Sequence, residues 1–340
     1  MEFHIPRKQP ILTSGYDIFW SFASARQQVY RKRLEGNCGP LTSDPVLAKN
    51  RFTNAYRAAD RVSQYLITNV IYDAKRSWRD TFSRILVFKI FNRIDTWEHL
   101  ERAVGELTAD ALLKGHLDDA LQQRSKKMPL YSAAYIMPPP QNRFGPKFER
   151  HLGLLRDMLV HGVHERIAET TTMSEAYRVL IAYESIGPFL AYQFVTDLNY
   201  SPYLEFTETE FVVPGPGALR GIRKCIADPG DFSAADLIRW MMDAQEHAFA
   251  ERELVWFDLW GRDLQLIDIQ NLFCEVDKYT REAHPELSRY APGQRIKQRY
   301  RPLRTPLTAW FPPKWGLNDA IPRKLSPGID VLTCDQPRLR

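Results

Sequence analysis

Leu180-Ile-Ala-Tyr-Glu-Ser-Ile-Gly-Pro-Phe-Leu-Ala-Tyr-Gln-Phe-Val-Thr-Asp197 is the stretch on which the reading of the fold turns. An apolar helix runs into a tight turn at Ser185-Ile186-Gly187. A second helix leaves that turn with Pro188 in its first position, where the missing N–H of proline costs nothing. Leu190, Ala191, Phe194 and Leu198 then recur at helical spacing. A helix–hairpin–helix of this kind aims backbone N–H groups and a helix N-terminus at one point, which suits a nucleic-acid phosphate. Ser185 stands where such hairpins usually begin with glycine, so an ordinary helical hairpin fits the same residues. Gly187 is the predicted point of DNA contact.

Outward from the hairpin, the chain reads as mainly α. Its 340 residues are 44% hydrophobic and 12% aromatic, enough to bury a large core in one domain or two lobes. The formal net charge of +5 is mild, but no Asp or Glu occurs between Glu286 and Asp319, where Arg and Lys are frequent. Cys38, Cys225, Cys274 and Cys334 are far apart, without metal-ligand spacing or a disulfide framework. No apolar run is long enough to span a membrane, and the N-terminus lacks the charged and apolar regions of a signal peptide. These features predict a cytoplasmic protein.

The pattern predicts a first helix from Ile18 to about Leu34, closed by Gly36. Asp44 before Pro45 reads as an N-cap. A single long helix is predicted from Val46 to Ile71. Phe52, Ala55, Ala59, Val62, Leu66 and Val70 would form its apolar face, and Asn50, Asn54, Arg57 and Arg61 a polar stripe at the same period. That stripe is either a solvated surface or a ligand-facing one, with Asn50, Arg51 and Asn54 as candidates. Residues 82–91 are apolar nearly all round and predict a buried helix closed by Asn92, itself a candidate substrate or phosphate contact. Residues 125–146 form a Pro-rich connection, a candidate boundary between two lobes of a helical domain over 1–285. Residues 286–340 read as a basic, Pro/Arg-rich extension.

Three constellations could carry chemistry. Pro214-Gly-Pro-Gly-Ala-Leu-Arg-Gly-Ile-Arg-Lys224 combines glycines, which let backbone approach a ligand, with a helix start and cations. Gly215, Gly217 and Arg220 are candidate phosphate ligands, and Arg223 and Lys224 candidate DNA contacts. The loop lacks the terminal Gly-Lys-Ser/Thr of a Walker A motif, and no such sequence occurs in the chain, which argues against a P-loop kinase. The second constellation is Asp268, Asn271, Glu275 and Lys278, three or four residues apart on one helix face. It is either a surface ion-pair row or a partly buried carboxylate site with a general base. The third is Arg295-Ile-Lys-Gln-Arg-Tyr-Arg-Pro-Leu-Arg304, where Arg295, Lys297 and Arg299 sit among aromatics suited to a nucleic-acid backbone. His161 and His164, with His151 earlier, lack an obvious third ligand, so no metal and no cofactor are expected.

Five blocks then occur in a characteristic order: Lys49-Asn-Arg-Phe-Thr-Asn-Ala-Tyr-Arg57, Phe88-Lys-Ile-Phe-Asn92, Ile186-Gly-Pro-Phe-Leu-Ala-Tyr-Gln193, Val213-Pro-Gly-Pro-Gly-Ala-Leu-Arg-Gly221 and Asp268-Ile-Gln-Asn-Leu-Phe-Cys-Glu-Val-Asp-Lys-Tyr279. From about Tyr16 to Arg281 the chain resembles the alpha-glutamyl/putrescinyl-thymine pyrophosphorylase family, amino acid:DNA transferases of bacteriophages that hypermodify thymine. A related helical domain accompanies the kinases that phosphorylate 5-hydroxymethyldeoxyuridine in DNA. The resemblance implies a fold distantly like the helix–hairpin–helix DNA glycosylases. Those enzymes carry an acid after the hairpin, where this chain has Val213-Pro-Gly-Pro-Gly217. Asp197 is the rival acid.

The resemblance further implies transfer of an amino acid or amine to the methylene of 5-phosphomethyl- or 5-pyrophosphomethyl-deoxyuridine in double-stranded DNA. Phosphate or pyrophosphate would leave. Free amino acid and a phage DNA kinase are the implied partners, inside the infected host cell. The alternatives are a glycosylase-like enzyme and a non-catalytic DNA-binding helical module serving such a kinase.

Overall fold

The computed structural model describes residues 7–37, 39–287, 295–301 and 307–325. Cys38, Cys334, Pro302–Arg304 of the basic tail and much of the 286–340 extension lie outside the described residues. In chain order the helices are α1 (Ser14–Leu34), α2 (Pro45–Lys49), α3 (Arg61–Tyr65), α4 (Trp78–Phe91), α5 (Ile94–Val104), α6 (Ala109–Leu113), α7 (His116–Ser125) and α8 (Lys147–Val160). They continue as α9 (Val163–Ala168), α10 (Met173–Ile181), α11 (Pro188–Leu198), α12 (Pro216–Cys225), α13 (Ala234–Asp243), α14 (Gln245–Glu251) and α15 (Leu266–Ala283). The strands among the described residues are β1 (Ile11–Leu12) and β2 (Ile226–Asp228), paired antiparallel. The protein is mainly α.

The chain forms two compact units. Among the described residues, one comprises residues 7–60, 208–309 and 319–325; the other comprises Arg61–Thr207 and Trp310–Asn318. Residues 125–146 therefore lie inside the second unit. The local chemistry explains why: Thr96 Oγ1 donates to Leu130 O at 2.9 Å, Ser132 N–H donates to Phe91 O at 2.8 Å, and Leu130 and Met137 are buried.

In the first unit α1 begins at Thr13, whose Oγ1 accepts the Gly15 N–H. It ends on Arg31, Lys32 and Arg33, cations placed at the negative end of the helix dipole. Phe19 and Trp20 sit under it, Phe19 4.7 Å from Phe273 of α15 and Trp20 4.9 Å from Phe249 of α14. α12 packs on α15 at Gly221. A Cβ there would collide with the Phe273 carbonyl, so only glycine allows this approach.

In the second unit α4 is the buried central helix, with Phe82, Ile85, Leu86, Val87, Phe88, Ile90 and Phe91 all inside. Asn92 closes it in the left-handed conformation, φ 50°. α10 and α11 are joined by residues 182–187. Ser185 takes the left-handed φ of 68°, Gly187 is the N-cap, and Pro188 opens α11.

The single helix expected over 46–71 is not formed. α2 stops at Lys49, residues 50–56 are irregular, Arg57–Ala59 form one 3₁₀ turn, and α3 runs into a π-helical turn over Leu66–Ile71. The reason lies in where the backbone N–H groups go. Arg51 donates to Gln298 O, Thr53 to Glu275 Oε2, Asn54 to Asp60 Oδ1 and Arg57 to Asp268 Oδ1, at 3.0, 2.9, 2.8 and 2.7 Å. Carboxylates and a distant carbonyl have taken the donors a helix would need, and a buried backbone group requires a partner of one kind or another.

Candidate active site

The irregular segment 50–60 and the face of α15 that meets it bring two predicted constellations together. Asn50 and Asn54 stand on one side, and Asp268, Glu275 and Lys278 on the other. Glu275 Oε2 accepts the Thr53 N–H at 2.9 Å and the Lys278 ammonium at 2.7 Å. That ammonium also lies 4.5 Å from the centre of the Phe52 ring. Asn271 is half-buried on the same face.

Asp268 is held through both carboxylate oxygens by backbone N–H groups. It is the third residue of α15, is 4% exposed, and its Oδ2 accepts the Gln265 N–H at 3.0 Å while Oδ1 accepts the Arg57 N–H. Burial pushes its carboxyl up to about 7, against those two bonds and nearby Arg262. Both oxygens are engaged with backbone, so Asp268 caps α15 and anchors the 57–59 turn.

Two residues that the sequence reading passed over complete the site. Arg26 of α1, 8% exposed, donates to Phe52 O at 3.3 Å and to Asn54 Oδ1, and so grips the residues on both sides of Thr53. Burial disfavours its charge, and Asp60 and Glu275 act in the opposite direction. Asp60 is partly exposed, and burial raises its carboxyl to about 6 despite the Asn54 N–H and the Arg26 charge. One signal for Arg26 was present. It continues the buried stripe Phe19, Phe22, Ala23, Tyr30 of α1, where a cation needs a partner. Asp60 was hidden by the helix assigned to its segment.

Asn50 is buried and acts as a clip. Its Nδ2 donates to Val46 O at 3.1 Å and Glu282 Oε2 at 3.0 Å, and its Oδ1 accepts from Arg299 Nη1 at 2.8 Å. Arg51 is exposed.

The Gly/Pro loop opens α12 as expected, with Gly215 as N-cap, and Gly217 packs against Cys274. Its cations diverge. Arg220 Nε pairs with Asp277 Oδ2 at 3.0 Å. Lys224, expected at a DNA surface, is instead buried, with its ammonium 2.9 Å from Asp277 Oδ1, Asp277 O and Thr280 Oγ1. Arg281 joins the same carboxylate at 2.6 Å. Burial raises the Asp277 carboxyl, but hydrogen bonds from Lys224 and Arg281 outweigh it and hold the group below its ordinary value. Arg223, Arg295, Lys297 and Arg299 are exposed.

The remaining predicted residues lie in the second unit. Asp197 is fully buried and pairs with Lys89 at 3.1 Å, and Asn92 Oδ1 accepts from the same ammonium at 3.3 Å. Gly187 is exposed. His151 is a core residue: Nδ1 faces the Tyr131 hydroxyl at 2.9 Å, Nε2 faces Pro138 O at 3.1 Å, and burial lowers its pKa to about 4. No helix among the described residues is long and apolar enough to cross a membrane.

Residues 13–289 match the family described as "5-hmdU DNA kinase, helical domain". The chain belongs to this family. A curated relative is the 5-hmdU DNA kinase of Bacillus phage SP10, 23% identical over 323 residues that cover 88% of this chain and 50% of that protein. The chain thus spans about half the length of that relative. No solved structure matches it. The helical-domain match takes in both the 50–60 segment and α15.

Proposed function

We propose that the protein acts in DNA base hypermodification, transferring an amino acid or amine to the methylene of 5-phosphomethyl- or 5-pyrophosphomethyl-deoxyuridine in double-stranded DNA. The amine nitrogen attacks the methylene carbon as the C–O bond breaks, phosphate or pyrophosphate leaves with the bonding electrons, and a base takes the ammonium proton. The observation that carries this reading is Asp60, a residue of intermediate exposure whose carboxyl is raised by burial to about 6, beside Arg26 and the Glu275–Lys278 pair. A carboxylate of that pKa can accept a proton from an ammonium group near neutral pH. The relative's printed activity, on 5-hmdU in DNA, supports the substrate class. Of the predicted acids, Glu275 stays with Asp60 as a proton acceptor. Asp268 orders the turn that holds them. Exposed Arg223, Arg295, Lys297 and Arg299, with Gly187, are the proposed DNA contacts, and Arg220 with Gly215 and Gly217 the proposed phosphate contacts.

A second reading, a DNA-binding helical module acting with a 5-hmdU DNA kinase in the phage-infected cell, is favoured by one fact. The match is to a kinase's helical domain and covers half of the kinase relative. One experiment separates the two. The protein is incubated with duplex DNA bearing 5-phosphomethyl-deoxyuridine and mixed amino acids, and the nucleosides are then read by mass spectrometry. Transfer gives a base whose 5-methylene carries the amino acid through its nitrogen, and free phosphate, only with amino acid present. The module reading gives salt-sensitive DNA binding and no adduct. Abasic sites formed without amino acid would indicate a glycosylase.

A further inference from the structure

Phe144 is fully exposed, whereas every other described phenylalanine is buried or half-buried. A single apolar side chain at the surface is ordinary. The setting of this one is not, because the loop that carries it is fixed on both sides. His151 Nε2 meets Pro138 O at 3.1 Å, and Arg150 Nε donates to Pro140 O at 2.8 Å. Arg143 pairs with Asp157 of α8. Gly145 then turns the chain at φ 94°, and Pro146 caps α8. The ring is thus held out in water by a braced loop, although burying it would be favourable. The same loop is tied to the α10–α11 hairpin. The Gln141 N–H donates to the Glu184 carboxylate, and Tyr135 stacks on Phe189, ring centres 5.8 Å apart and planes within 5°. Glu184 and Phe189 flank Gly187, the proposed DNA contact. No Asp or Glu occurs between Asp119 and Glu149, an interval that holds Arg124, Lys126, Lys127, Arg143 and Lys147. Arg124 and Arg143 pair with Asp95 and Asp157, and Lys126 and Lys127 are exposed. An acid-free segment with free lysines suits a polyanion. An exposed aromatic in such a segment suits duplex DNA in particular, because base steps accept an apolar wedge.

We propose that Phe144 is a wedge that enters the base stack of duplex DNA beside the target nucleotide and keeps that nucleotide extruded, while the hairpin at Gly187 holds the strand. The wedge rests on the reading that the protein acts on a base in duplex DNA, and it names the part that opens the duplex. Chemistry on a base requires the base to leave the stack, and a ring that fills the gap opposes its return. A side chain already fixed in place loses little freedom on insertion.

The test uses the full chain and a duplex in which 2-aminopurine neighbours 5-phosphomethyl-deoxyuridine. The fluorescence of 2-aminopurine rises when the base is unstacked, and binding is followed in parallel by the anisotropy of an end label. The unaltered protein raises the 2-aminopurine signal as it binds. Phe144→Ala, a change at a fully exposed side chain, removes most of that rise and weakens binding about fivefold or more, the loss expected for one base-stacking aromatic. The salt dependence of its binding keeps the slope of the unaltered protein, since no cation is lost. Phe144→Trp restores the rise. A full rise in Phe144→Ala overturns the wedge, as does binding by the unaltered protein with no rise. Self-association seen by sedimentation and abolished in Phe144→Ala assigns the ring to a second copy of the chain and overturns it too. Absence of any DNA binding overturns the wedge together with the DNA reading. The transfer reading fails separately: a rise that depends on Phe144, with no adduct formed by the unaltered protein, leaves the wedge standing and removes only the reaction.

Discussion

α15 carries two carboxylate environments a few turns apart. Asp277 is surrounded by Arg220, Lys224 and Arg281 and held below its ordinary pKa. Asp268, with Asp60 across from the same helix, meets backbone N–H groups and too little positive charge, and both are raised. Burial acts upward on all three, so the number of cations within bonding distance decides the sign. A saturated carboxylate holds the fold together. An undersupplied one can take up and release a proton near neutrality, and that is the property a reacting site requires.

The comparison breaks most visibly at Asp277. Asp277→Asn leaves Lys224 buried and without its counter-charge, and removing one partner of a buried pair costs about 3–5 kcal/mol. A urea melt should show a loss in that range. A loss below about 1 kcal/mol would mean that the three cations do not depend on this carboxylate.

The pH dependence of stability is the next largest effect, and its sign differs between the two environments. Asp268 is raised to about 7, well above the ordinary carboxyl value of about 4 in an unfolded chain. Between those values the native state binds more protons, so this group makes stability fall as pH rises through the window, by up to about 1.4 kcal/mol per pH unit. Asp60, raised to about 6, acts in the same direction over a narrower window. Asp277 acts oppositely: its contribution is present above the ordinary carboxyl value and is lost as pH falls through its lowered one. Urea midpoints measured from pH 4 to 7 should therefore flatten in Asp268→Asn. An unchanged slope would show that Asp268 titrates normally.

The smallest effect sharpens the role of the tail segment. Arg299→Ala removes the bond to Asn50 but leaves Asn50 tied to Val46 and Glu282. A partly exposed interaction of this kind contributes about 1 kcal/mol or less. The expected readout is a small shift in the urea midpoint with faster hydrogen exchange at the Arg51 N–H, which donates to Gln298 O. Unaltered exchange there would separate the clip from the order of the 50–60 segment.

Much of this was legible in the residues. The apolar run of α4, the Asp44 cap, the Pro188 helix start and the α15 face all follow from periodicity and capping chemistry. The 50–60 segment was not. Its apolar residues keep a helical period by coincidence, and what undoes the helix is a set of long-range acceptors more than 200 positions away, Glu275, Asp268 and Gln298. Asp60 and Arg26 were missed for the same reason, since their meaning depends on that unwinding. Lys224 shows the converse. Its place in a basic run suggested solvent or DNA, while Gly221 draws α12 so close to α15 that the ammonium is carried inside to Asp277.

The split between saturated and undersupplied carboxylates can be read directly by following side-chain carboxyl ¹³C resonances of Asp60, Asp268 and Asp277 through a pH titration. The account predicts midpoints near 6 for Asp60 and near 7 for Asp268, and one below the ordinary carboxylate range for Asp277. Midpoints for Asp60 and Asp268 at or below about 4, the ordinary value, would contradict it and remove the proton acceptor on which the proposed chemistry depends.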